Sequence, residues 1–159
     1  MHLLNIEQSG SLYDSKDAVD LAVPSGDIIY LSSADTDITL FAHAARRFAN
    51  IQQDKGKHLS VRVANYLSLS HPYSVDLFIE KTCRYAKVII VRLLGGSSYW
   101  RYGTEQFHRL AMETGIVLVL VSGDGKTDFE LDQLSTVSPD VCAASAGYLD
   151  AGGAQNAER

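Results

Sequence analysis

The chain is poor in the residues that would commit it to a specialised class. Its 159 residues contain two cysteines, Cys83 and Cys142, far apart and without a CxxC pair. That excludes a disulfide framework, and a reducing compartment fits best. Long apolar runs are missing too: Ile116–Val121 is among the longest and falls far short of a bilayer crossing. The opening MHLLNIEQSG lacks a basic region leading into a long apolar one, so a secretory signal is not expected and a cytoplasmic location is. Positive charge is in deficit, with 14 Lys and Arg against 19 Asp and Glu for a net charge of −5. Neither nucleic acid nor an anionic membrane surface would find electrostatic support here.

What is present reads as one ordinary globular domain, expected over residues 1–150 with a polar tail at 151–159. Five short apolar runs are strand candidates: His2–Ile6, Asp27–Ser32, Ser60–Leu67, Lys87–Leu93 and Ile116–Ser122. They are rich in Val, Ile and Leu and do not alternate cleanly, the mark of strands covered on both faces. Helical spacing fills the gaps. Asp35 or Thr36 can cap a helix carrying Leu40, Phe41, Ala44, Ala45 and Phe48 on one face. Ser74 can cap a second, and a third through Phe107, Leu110 and Ala111 stops at Gly115. Ser138–Pro139 opens a last helix, although its CAASAG stretch is small-residue-rich. The first crossover, Gly10–Gly26, has helical character only over Ser15–Leu21. The expected architecture is a three-layer α/β sandwich on a mostly parallel five-stranded sheet, flavodoxin-like or Rossmann-like.

Several local patterns imitate catalytic motifs and fail on a required residue. Gly125-Lys126-Thr127 resembles the end of a phosphate-binding loop, but the first glycine of that motif is replaced by Leu120. Gly123-Asp124-Gly125 begins a dinucleotide fingerprint whose third glycine is Asp128, an acid that would repel a pyrophosphate. Ser9-Gly10-Ser11 is a thin flavin-phosphate loop, and only Glu7 follows the first strand where a receiver domain needs clustered acids. The five histidines show no metal-ligand spacing. Cys83 suits a small core residue, while Cys142 sits near a helix start with no base beside it. No catalytic residue and no metal site can be assigned.

The most informative stretch is KVIIVRLLGGSSYWRY, residues 87–102. In an open α/β sheet, ligands bind in loops after strand carboxyl ends. Three such loops are expected on one edge: Ser33–Asp37, Ser68–Ser74 and Leu94–Gly103. They bring forward His71, Arg92, Tyr99, Trp100, Arg101 and Tyr102 as a candidate surface. Rings and guanidinium groups would suit a planar ligand with peripheral carboxylates, or the same residues could pack beneath a neighbouring domain. Arg92 could equally pair with Asp76, Glu80 or Glu105.

Longer phrases carry a family likeness: MHLL, GDIIYLSSADTD, VRVANYLSLSHPYSVDLFIE, VRLLGGSSYWRYGTEQF, GIVLVLVSGDGKTDFELDQLSTV and YLDAGGAQNA. In this order they resemble the N-terminal region of the large, tetrapyrrole-handling subunit of cobaltochelatase, related to the H subunit of magnesium chelatase. The resemblance implies ATP-dependent insertion of cobalt into hydrogenobyrinic acid a,c-diamide on the aerobic route to cobalamin. It implies as partners the remainder of the large subunit, separate AAA+-type ATPase subunits and the tetrapyrrole itself. ATP, Mg and Co would serve the complete complex, with no cofactor bound by this fragment. Members are many times longer, so this stretch would be an opening domain, inactive alone, with 151–159 starting the next segment. A stand-alone α/β interaction module that binds a protein and no tetrapyrrole is the competing expectation.

Overall fold

The computed structural model describes residues 17–56 and 58–157. Its sheet comprises β1 (Ile28–Ser32), β2 (Val61–Asn65), β3 (Val88–Leu93) and β4 (Val117–Ser122) in the order β2-β1-β3-β4. All three pairings are parallel. The described residues thus form four strands rather than the expected five; the remaining candidate, residues 2–6, lies outside them. The α/β class and the parallel sheet hold.

Strand alternation sorts the side chains between two layers. Ile29, Leu31, Ile89, Val91, Leu93, Leu118 and Leu120 face one way into the larger core. Over them lie α2 (Pro72–Phe78), which runs on as a π turn over Ile79–Cys83, and α3 (Arg101–Thr114). The short α4 (Phe129–Leu134) adds Leu131 to the same cluster. On the opposite face the cover is α1 (Asp35–Asp54) and α5 (Pro139–Ala151), bridged by the single turn α6 (Ala154–Ala157). Here Tyr30 stacks on Phe41 at 4.0 Å, and a smaller cluster joins Val119, Val121 and Cys142.

Local chemistry accounts for most element ends. Gly115 closes α3 in the left-handed conformation (φ 77°), its N–H bonded to the Ala111 carbonyl. Pro139 opens α5 behind Ser138, as its spacing suggests. For α2 the expected cap is corrected. His71 is the N-cap, its Nδ1 accepting from the Tyr73 N–H at 3.1 Å with Pro72 at the first helical position. Ser74 is instead buried inside the helix, where its Oγ accepts from the Val19 N–H at 2.7 Å. Residues 17–21 are not helical; the segment lies along α2, and the Val23 carbonyl accepts from Thr82 Oγ1 at 2.7 Å.

Two devices finish the sheet. At its amino end the Asp27 carboxylate accepts from the Ser60 N–H (2.9 Å) and hydroxyl (2.8 Å) and pairs with Lys87 (2.9 Å). At the β4 edge the Leu118 and Leu120 N–H groups donate to Thr136 Oγ1 (2.8 Å) and Ser135 Oγ (2.9 Å). Side chains there take the place of a neighbouring strand.

Candidate functional site

A parallel sheet whose order reverses between neighbours opens a crevice at the strands' carboxyl ends. Here the reversal falls between β1 and β3. The chain leaves β1 towards α1 on one face and leaves β3 towards α3 on the other. The three loops expected along this edge do emerge there.

Arg92 sits at the carboxyl end of β3, opposite Ser32 of β1 in the pairing register. Its side chain is only 13% exposed. Nη1 donates to Asp37 of α1 at 2.7 Å and Nη2 to Asp150 of α5 at 2.6 Å. Asp37 also accepts from the Ser32 hydroxyl at 3.1 Å. The expected partners Asp76, Glu80 and Glu105 belong to the other face, so that reading is corrected. Beneath the pair lies Tyr30, fully buried beside Asp37, Arg92 and Ser32, with no well-formed hydrogen bond of its own. Burial, reinforced by Asp37, pushes its phenol up to about 12.

Trp100 is on the opposite side of the sheet and 1% exposed. Its indole N–H donates to the Leu69 carbonyl at 3.1 Å, and its ring lies 5.0 Å from Tyr66 and 5.8 Å from Phe107. Gly103, one turn on, fits beneath the ring: a Cβ there would lie 2.2 Å from Trp100 Cε2. Tyr66 extends the same cluster by accepting from the Leu94 N–H at 3.2 Å.

The sheet therefore divides the candidate set. Tyr99 packs half-buried against the larger core, and the Tyr102 hydroxyl donates to both oxygens of Asp76, at 2.9 and 3.1 Å. Arg101 is exposed and pairs along α3 with Glu105 at 3.0 Å. With the His71 cap, these four lie on the side of Trp100, whereas Arg92 reaches to α1 and α5. The indole is committed to the larger core, and the guanidinium to two carboxylates.

Several residues that organise the edge are not among the sequence-derived candidates. The Asp128 carboxylate caps α4 through the Glu130 and Leu131 N–H groups (3.0 and 3.1 Å) and accepts from the Ser97 N–H at 3.2 Å. It lies so close to Gly96 (φ 74°) that a Cβ there would be 2.6 Å from Oδ2. Ser97 Oγ adds a bond to Glu130 at 2.6 Å. Asp128 ahead of Phe-Glu-Leu is a legible helix-start signal; its second bond joins loops whose contact no local pattern announces.

Reactive groups are quiet. Burial pushes the Cys83 and Cys142 thiols up, away from thiolate formation. Among the described residues no three His, Cys, Asp or Glu side chains come together to hold a metal ion. Among them, too, no helix is long and apolar enough to cross a membrane.

These features define a parallel α/β domain with helices on both faces of the sheet, in which Arg92 at the strand-order reversal is paired with Asp37 and Asp150. No protein-family profile matches the chain. It is, however, homologous over nearly its whole length to part of the aerobic cobaltochelatase subunit CobN. Identity is 41% over 157 residues with the Sinorhizobium protein and 38% over 157 residues with the Pseudomonas aeruginosa one. The chain spans 12% of the length of these curated relatives while 99% of it is aligned. The solved catalytic subunit of cobaltochelatase from Mycobacterium tuberculosis superposes with a TM-score of 0.61 at 27% identity, over 85% of this chain and 10% of that one.

Proposed function

We propose that this chain is a positioning and docking domain, N-terminal in a cobaltochelatase large subunit, that serves cobalt insertion into hydrogenobyrinic acid a,c-diamide. Separate AAA+-type subunits would hydrolyse ATP, with Mg and Co entering the complete cytoplasmic complex elsewhere than in this domain. The observation that carries the docking role is the internal commitment of the crevice. Arg92 is neutralised by Asp37 and Asp150, and Trp100 is sealed into the core.

Charge supports the same reading. From Ser122 to Ala157 the sequence holds Asp124, Asp128, Glu130, Asp132, Asp140 and Asp150 against Lys126 alone. An acidic segment of this kind offers a polycarboxylated tetrapyrrole no electrostatic attraction. His71, Tyr99, Arg101 and Tyr102 then act by shaping loops that meet a neighbouring domain.

The test compares the complete large subunit with a form lacking residues 1–159, assayed with its ATPase partners, ATP and cobalt. Removal is expected to lower the turnover of cobalt insertion and to leave tetrapyrrole affinity within about twofold, since uniform substrate binding lies elsewhere. Loss of tetrapyrrole binding on removal would place the domain in the substrate site and overturn the docking role.

A further inference from the structure

α1 and α5 cover the same face of the sheet without closing on each other; contact between them runs chiefly through α6. They leave an open groove of about 560 Å³. Its floor is Ile28, Val88 and Ile90, and its walls include Phe41 and Phe48 of α1 with Tyr148 of α5. Other wall positions are small, Ala44 and Ala45 facing Ala144 across the gap. Protein interiors pack to near crystal density, so a space of this size over sheet residues is more than a packing fault. It falls within the range of about 300–1,000 Å³ common for seated ligands and side-chain clusters.

Three features characterise what would fill it. First, the groove offers one carboxylate, Asp140 at one end, with Ser145, Tyr148 and Asn156 as its uncharged polar groups, so the occupant is uncharged along its length, with a basic group tolerated opposite Asp140. Second, small residues on facing walls leave room for bulky apolar side chains from a third helix, in the manner of ridges entering grooves. Third, the relatives devote 12% of their length to this domain, so most of a large subunit remains to be packed around it. A large apolar side chain of the lining, Val141, stands 45% exposed. On an isolated domain such an apolar lining marks an interface.

We infer that the groove between α1 and α5 seats the apolar stripe of a helix from the remainder of the cobaltochelatase large subunit. This deepens the docking role proposed above and rests on it. The contact buries Phe41, Phe48 and Tyr148, and it places the domain's attachment on the face opposite Trp100. The Arg92–Asp150 pair holds one end of α5 at its distance from α1.

The experiment uses the complete large subunit carrying this sequence, with one reporter cysteine at a time and labelling read by mass spectrometry on the reporter's own peptide; within this domain Cys83 and Cys142 are both buried. Val141→Cys sits at the groove, and Met112→Cys, 69% exposed on α3, is the control. Maleimide labelling of Val141→Cys is expected to be at least about tenfold slower than that of Met112→Cys, because the seated helix must open first. A photo-crosslinking benzophenone residue at Ala144 is expected to join polypeptide beyond residue 159 of the same subunit. Equal labelling rates, or crosslinks confined to residues 1–159, a second copy or an ATPase subunit, would overturn the assignment. If the groove fails while removal of the domain still lowers turnover, only this interface is lost. If removal has no effect, the docking role falls with it.

Discussion

The indole N–H of Trp100 and the backbone carbonyl of Leu69 meet at 3.1 Å, joining the loop after β3 to the loop after β2 within the buried core. A tryptophan that reads in sequence as an open-loop residue thus serves as an internal strut. Trp100→Phe keeps most of the apolar contact but leaves that carbonyl without the indole, at a cost of about 1–2 kcal/mol. Trp100→Ala also opens a cavity and is expected to cost about 3–5 kcal/mol. Urea unfolding of the two variants measures the difference, and equal losses would disprove the strut.

Gly103 is fixed by the same ring. Alanine would ordinarily strengthen a helix by about 1 kcal/mol over glycine. In α3, however, the new methyl would meet three Trp100 ring atoms at 2.2, 2.4 and 2.5 Å. Overpacking should win, and Gly103→Ala is expected to lose a net 1–2 kcal/mol, roughly, or about 4 °C in Tm. A Tm equal to or above the parent's would show that the ring can move aside.

Arg92 and Asp150 should respond unequally. Arg92→Gln strands the Asp37 carboxylate, whose side chain is only 20% exposed, and is expected to cost about 2–3 kcal/mol. Asp150 is 39% exposed, so Asp150→Asn is expected to cost less than about 1 kcal/mol. Hydrogen exchange of residues 139–151 should accelerate in both, far more in Arg92→Gln. The reverse order would mean that α5 is held by its apolar contacts and not by the ion pair.

Acid sensitivity should trace to Asp27. The Ser60 amide, Lys87 and the Ser60 hydroxyl hold its carboxyl down at about 2, against about 3.9 for an unfolded aspartate. A depressed folded value means stability that is complete above about pH 4 and lost as pH falls towards 2. Solvent screening of the Lys87 pair limits the contribution to the order of 1 kcal/mol. The stability gap between the parent and Asp27→Asn, followed by chemical denaturation, should therefore shrink across that acidic window. A gap constant down to pH 2 would remove Asp27 from the account.

Periodicity exposed the four observed strands to within about two residues at either end, because buried parallel strands are continuous apolar runs. It also located α3 and α5 through a stop and a cap, and α1 through its apolar face, although the expected caps Asp35 and Thr36 lie inside α1 and Ala34 precedes it. Other features depended on contacts distant in sequence. Ser74 resembles a cap, yet it is the partner of Val19, 55 residues away, and His71 holds the capping place. α4 is six residues long, too short to impose a period of its own. Within KVIIVRLL, alternation by itself puts Arg92 and Leu93 on opposite faces, so the division of the candidate set was legible in principle. What could not be read was which carboxylates Arg92 meets, since Asp37 and Asp150 lie 55 and 58 residues from it.

The Ser135 and Thr136 hydroxyls that receive the β4 amides have one more consequence. A parallel sheet with two bare margins can recruit strands in both directions, which is how open-ended assemblies begin. This one is terminated on the β4 side by its own polypeptide. A further strand therefore cannot be added past β4, and among the described residues only the β2 margin is left without such a side-chain termination.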